Sequence, residues 1–183
     1  MARSIGVILL SLVVSACSSR LGHTPLRPTR ATAYDDACRL RGGAIERTYA
    51  MIKPDVSGNR KAVEDIRKLI AGAGLTIVRE ERCRLSLAQC EQFYAEHSER
   101  PFFPSLVKFM RSGKIIKFDL EGEDAVRRWR ELLGPTSSEV ARQEKPQSVR
   151  ARYGKDVQRN CAHGSDSLKS AVRELELMFG SAA

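Results

Sequence analysis

Between residues 46 and 180 the spacing of apolar residues changes several times, and each change marks an element. Tyr49-Ala50-Met51-Ile52 is a short apolar strand halted by Pro54. Ala62, Val63, Ile66, Leu69 and Ile70 then fall at helical spacing, and Gly72 and Gly74 end that helix. Leu75 to Leu85 reads as a strand through Leu75, Ile77, Cys83 and Leu85, around a polar middle. Leu87, Cys90, Phe93, Tyr94 and His97 mark one helix face, and Phe103, Leu106, Val107 and Met110 mark another beyond Pro101, so that two helices meet at ERPFFP. Ile115 to Leu120 reads as a strand and Ala125, Val126, Trp129, Leu132 and Leu133 as a helix face. Leu168, Ala171, Val172, Leu175 and Phe179 form the face of the last helix. Strands and helices alternate, without an internal repeat.

Two stretches break this rhythm. Gly134 to Asn160 is rich in Pro, Ser, Arg, Lys and Gln, and it reads as a long irregular connection, a feature that compact domains keep for function or leave disordered. Thr136 follows the helix end, Arg150 and Arg152 sit midway, and Asn160 closes the stretch, a set of donors suited to phosphate oxygens. Residues 1 to 45 are the other exception. Met1-Ala2-Arg3, the apolar run Ile5 to Val14 and Ser15-Ala16-Cys17 have the three parts of a secretory signal. Val14-Ser15-Ala16-Cys17 also looks like a lipoprotein cleavage box, with Cys17 as the anchored residue. Ser18 to Ala33 has Arg20, Arg27 and Arg30 without an acidic residue, the composition of an organelle transit peptide. The expected division is therefore a targeting segment and linker, 1–45, and one domain, 46–183.

Charge refines this picture. Of the net +9 in 183 residues, positions 1 to 45 hold six Lys/Arg against two Asp/Glu, which leaves 25 basic and 20 acidic residues, a net +5, for the rest. Such an excess attracts nucleotides but is too small and dispersed for a nucleic-acid groove, so no nucleic-acid partner is expected. The five cysteines, Cys17, Cys38, Cys83, Cys90 and Cys161, form no CxxC pair and no zinc spacing; the last three sit among apolar residues as small core side chains.

The candidate chemistry lies in Asn160-Cys161-Ala162-His163-Gly164-Ser165-Asp166-Ser167, where an imidazole stands between an amide, a hydroxyl and an expected helix start. Imidazole is a nucleophile near neutral pH. Phosphoryl transfer to it needs a free ring nitrogen, a fixed ring and cations around the phosphate oxygens. His163 supplies the first. Glu174, on the shoulder of the last helix's apolar stripe, is a candidate for the second, and Lys53, Arg130, Arg150, Thr136 and Asn160 for the third. Other phosphate machinery is missing: Arg111-Ser112-Gly113-Lys114-Ile115 lacks the leading Gly and final hydroxyl of a GxxxxGK[ST] loop, and no HRD or DFG sequence occurs.

The sequences ERTYAMIKPD (46–55), RPFFPSLV (100–107) with Tyr94 before it, LGPT (133–136) and NCAHGSDS (160–167) with Glu174 beyond strongly resemble the nucleoside diphosphate kinase family. The resemblance implies an α+β, ferredoxin-like fold with a four-stranded antiparallel sheet covered by helices. It implies a ping-pong enzyme in which a nucleoside triphosphate gives its γ-phosphoryl to His163 and the phosphohistidine passes it to a nucleoside diphosphate. Lys53 would contact phosphates and ribose, Arg130, Thr136 and Arg150 the phosphate tail, and Asn160 the ribose. Phe102 would stack on the base with Leu106 beside it, and Tyr94, Ser165 and Glu174 would brace the histidine. Mg2+ would arrive with the nucleotide, and the chain would form a homo-oligomer, a hexamer in the family. Two departures stand out: Val56-Ser57-Gly58-Asn59 replaces the usual Gly-Val-Gln-Arg, and the stretch between Thr136 and Arg150 is a few residues longer than in typical members. The competing reading is a nucleotide-binding scaffold of the same fold that turns over poorly.

Overall fold

The structure, a computed structural model, describes residues 44–180. Of the expected targeting segment and linker, residues 1–43, with Cys17 and Cys38, lie outside these residues, and Ile45 already belongs to the first strand.

Strands β1 (Ile45–Ile52), β2 (Thr76–Cys83), β3 (Ile115–Glu123) and β4 (Ala162–Gly164) form one antiparallel sheet in the order β2-β3-β1-β4. Helix α1 (Arg60–Gly72) joins β1 to β2. Helices α2 (Leu87–Phe93) and α3 (Phe103–Met110) join β2 to β3, and α4 (Ala125–Leu133), α5 (Ser138–Glu144) and α6 (Val149–Tyr153) join β3 to β4. Helix α7 (Leu168–Phe179) ends the chain. This is the four-stranded ferredoxin-like arrangement.

β1 lies between β3 and β4 and is covered on both sides, which is why its sequence is unbroken rather than alternating. Ala50 and Ile52 pack with Ile66 and Ile70 of α1 and Trp129 and Leu133 of α4. Tyr49 and Met51, on the opposite face, pack with Phe93 of α2, Met110 of α3 and Met178 of α7. Met51 is paired in register with His163, and paired residues share a face. The imidazole is thereby delivered to the side of the sheet that α7 covers.

Val56-Ser57-Gly58-Asn59 has a definite use. Asn59 Oδ1 accepts the amide of Ala62 at 3.1 Å and caps α1, while Ser57 Oγ donates to the carbonyl of Lys114.

Three expectations change. Gly134 to Asn160 is not irregular: it holds α5 and α6, each opened by a serine hydroxyl, Ser137 to Val140 at 3.5 Å and Ser148 to Ala151 at 3.4 Å. Helices this short bury only Ser138 and Ala141, or Val149 and Ala151, so no apolar period could announce them. His163 lies in a three-residue strand that the apolar spacing did not mark, and the expected helix start follows it at Leu168. Leu87, assigned to the buried face of α2, is exposed, and only Cys90 and Phe93 of that helix are buried. Leu168 and Val172 are 53% and 58% exposed, and α7 turns Ala171, Glu174 and Met178 inward instead. The stripe is rotated because a carboxylate occupies its centre. Cys90 and Cys161 are buried core thiols, and Cys83 is partly buried.

Candidate active site

A cleft of about 550 Å³ opens beside β4, between α3, α7 and the segment that contains α5 and α6. His163 stands on its wall, and the backbone that carries it is pinned from the far side of the sheet. Trp129 Nε1 donates to the His163 carbonyl at 3.1 Å, and a β-carbon on Gly164 would lie 2.5 Å from the same indole. Position 164 therefore admits only glycine without displacing Trp129.

The ring is fixed from the α7 side. His163 Nε2 lies 3.0 Å from Oε2 of Glu174, which also accepts from Ser165 Oγ at 2.8 Å; Arg173 reaches the other oxygen at 3.5 Å. Glu174 is almost wholly buried, so these partners compensate a desolvated carboxylate. A carboxylate accepts only, so the proton sits on Nε2 and Nδ1 keeps its lone pair. Tyr94 braces the ring at one remove: it packs edge-on to Phe93 at 4.8 Å, and Phe93 edge-on to His163 at 5.0 Å. Its phenol is buried without a partner, and burial pushes its pKa up.

The residues expected to serve the phosphates line one cleft. Lys53 Nζ donates to Asn160 Oδ1 at 2.7 Å and to the Gln158 carbonyl at 3.3 Å, and Asn160 Nδ2 donates to the Thr136 carbonyl at 3.0 Å. Arg150 spans the carbonyls of Gly134 (2.8 Å) and Ala162 (3.2 Å), and its Nε is buried without a partner. Arg130 and Thr136 line the same space. Burial first and Arg150 second lower the Lys53 pKa to about 8; burial and Arg130 lower that of Arg150 to about 10. Three cations held against desolvation and mutual repulsion form a receptor for an anion.

The other end of the cleft is apolar and open. Phe102 is 49% exposed, Leu106 is buried behind it, and Val157 is 63% exposed. His97 lies 5.7 Å from the Phe102 ring. Val157, His97, Gln158 and Asp166 also line the cleft and were not anticipated. A lone valine in a polar segment gives no periodic signal, and Asp166 could have been noticed only for following His163 closely.

The nucleoside diphosphate kinase family model matches residues 46–183. The chain belongs to the nucleoside diphosphate kinase family. It is 48% identical to the probable nucleoside diphosphate kinase 5 of Arabidopsis thaliana over 130 residues, 70% of this chain and 89% of that protein. It is 41% identical to a nucleoside diphosphate kinase of Anaplasma phagocytophilum over 135 residues, 74% of this chain and 94% of that protein. A crystal structure of the Aquifex aeolicus nucleoside diphosphate kinase superposes with a TM-score of 0.72 at 41% identity, covering 75% of this chain and 97% of that one. Like its family, the chain is a phosphotransferase that binds nucleotides and moves a phosphoryl group from a nucleoside triphosphate to a nucleoside diphosphate. The cleft has the two ends such a substrate requires, one cationic and one apolar.

Proposed function

We propose that this nucleoside diphosphate kinase works through a phosphohistidine on His163. The observation that carries the reading is the Nε2 contact to Glu174 at 3.0 Å, which leaves Nδ1 as the uncommitted nitrogen of a ring that lines the cleft. In the first half-reaction Nδ1 attacks the γ-phosphorus of a nucleoside triphosphate; the N–P bond forms as the bond to the β,γ-bridging oxygen breaks, and the diphosphate leaves. The ring gains positive charge, which Glu174 opposes, and Ser165 holds Glu174 in place. In the second half a terminal oxygen of another nucleoside diphosphate attacks the same phosphorus and the N–P bond breaks. No proton has to leave Nδ1 in either half.

Lys53, Arg130, Arg150 and Thr136 supply donors to the phosphate oxygens, and Lys53 with Asn160 reaches the ribose. The base lies on Phe102, with Leu106 and Val157 alongside. An aromatic face accepts any base. Mg2+ suits this site as an ion held chiefly by the nucleotide. Among the described residues no three His, Cys, Asp or Glu side chains gather as a metal cage, while Asp166, kept ionised by the Ser170 and Ser167 hydroxyls, supplies one carboxylate to the cleft. When bound, the ion would neutralise charge on the phosphate oxygens, with Asp166 the nearby carboxylate. Self-association belongs to the same reading, supported by β2, which among the described residues pairs on one side only; sedimentation of the full chain measures it.

The test of the chemistry is incubation with γ-labelled ATP. Acid-labile label is expected on the wild type, absent from His163→Ala and discharged by GDP. Label that survives His163→Ala would overturn the assignment, and a wild type that takes up none would restore the scaffold reading.

A further inference from the structure

The segment between the nucleophile and Asn160 contains a strained turn, and Asp55 is the side chain that holds it. Cys161 is buried with φ at +73°, a conformation that a residue bearing a β-carbon adopts only under constraint. The amide of Ala162 donates to the carbonyl of Asn160 at 2.8 Å, which closes a three-residue γ-turn centred on Cys161. Both backbone groups of the central residue are held by one short piece of chain after β1. The Cys161 N–H donates to Asp55 Oδ2 at 3.1 Å, and the Cys161 carbonyl accepts the Lys53 amide at 2.8 Å. Turn and tether connect the groups that must converge: Asn160 enters the turn, His163 follows it, and Lys53 precedes the tether and reaches back to Asn160 Oδ1.

We infer that Asp55 is a positioning residue for phosphoryl transfer, clamping the γ-turn at Cys161 so that Lys53, Asn160 and His163 face one phosphorus. The role rests on the phosphohistidine reading of His163. Two features separate it from ordinary loop stabilisation. The clamp opposes a strain that a glycine at 161 would not have, so the need for Asp55 depends on the residue at 161. The carboxylate also acts on the Lys53 ammonium, as do Arg150, Asp156 and the Cys161 thiol, while Lys53 and Lys155 both act on the carboxylate. Its second oxygen, Oδ1, is buried without a partner, so the charge is not spent on another hydrogen bond.

The test measures the single-turnover rate of His163 phosphorylation in the full chain. Asp55→Ala is expected to slow the step by about tenfold, the scale of a small displacement of reacting groups. Asp55→Ala with Cys161→Gly is expected to recover at least about threefold of that loss relative to Cys161→Gly alone, because the turn no longer needs holding. Losses that simply multiply overturn the clamp. Asp55→Asn keeps an acceptor for the Cys161 amide and removes only the charge, so it guards against a misfolded alanine variant. It is expected to stay within about threefold of wild type in rate while the alkaline limb of kcat/KM moves to lower pH; a rate as low as that of Asp55→Ala with an unmoved limb overturns the proposal. A wild type without label overturns both this role and the phosphohistidine, whereas label without rescue overturns the clamp alone.

Discussion

The two ends of the cleft are built on opposite plans. At the cationic end, proposed for the phosphates, Lys53, Asn160 and Glu174 are buried, and Lys53, Asn160 and Arg150 are tied to one another or to backbone carbonyls that belong to different elements. At the apolar end, proposed for the base, Phe102 is about half exposed and Val157 more so, with apolar surface and few fixed partners. The difference follows from what each end must recognise. Every nucleotide carries the same phosphate chain, and charge developing in the transition state is stabilised best by donors that need not move. The bases differ, so a face that offers area and little directional bonding serves them all. Rigidity is spent where the ligand is constant and withheld where it varies.

The largest effect that follows is at His163. His163→Ala should abolish turnover, by on the order of a thousandfold or more, since the other imidazole lining the cleft, His97, lies beside Phe102 at the apolar end and not among the cations. Retained turnover would mean that the cationic end is a binding site only. Glu174→Ala should come next. It removes the acceptor that fixes the proton on Nε2 and leaves Ser165 Oγ with only its 3.4 Å contact to the Tyr49 carbonyl. A loss of about a hundredfold in kcat is expected, with KM for nucleotide little changed, because the carboxylate acts on the ring and not on the ligand. Steady-state kinetics on both substrates separates the two quantities.

The asymmetry also explains how much could be read without coordinates. The residues proposed for the phosphates were legible through the family resemblance, whose strings contain Lys53, Thr136 and Asn160, and the structure gathers these with Arg130 and Arg150 around one cleft. Three strands and most of the helices were legible because their apolar residues keep a period long enough to count. β4 was not, since three residues hold no period, and the two short helices after Gly134 were not, since each buries only two residues. The rotation of α7 was hidden for a subtler reason. Apolar counting placed Leu168 and Val172 inside, but the packed face is chosen by Glu174, a charged residue whose burial is repaid by its hydrogen bonds. Asp55 and the turn at Cys161 left no trace because a positive φ at cysteine contradicts local preference.

A pH series sharpens the contrast further. Burial lowers the Lys53 pKa to about 8, below its usual 10.5, so its charge is present below pH 8 and is lost as pH rises through that value. The expected outcome is a fall in kcat/KM approaching about tenfold per unit above pH 8. Folding stability moves the other way. Between about 8 and 10.5 the unfolded lysine binds more protons than the folded one, so the contribution of Lys53 to stability increases with pH across that window. Activity falling while denaturant midpoints hold or rise would assign the loss to the lysine and not to unfolding; Lys53→Met should remove both trends.

The smallest effect belongs to the base end. Phe102→Ala deletes the stacking surface, and stacking on an aromatic ring is worth about 1–3 kcal/mol per base. The ring is already 49% exposed, which places it at the low end, a rise in KM of about fivefold to tenfold. The contact is the same in ground and transition states because the base does not move as phosphorus changes partners, so kcat should stay within about twofold. The rise should be larger for purines than for pyrimidines, in proportion to stacked area, which makes the ratio of KM values across nucleotides the informative measurement. A drop in kcat instead would show that the base end transmits position to the phosphorus, and the division of labour between the two ends would have to be given up.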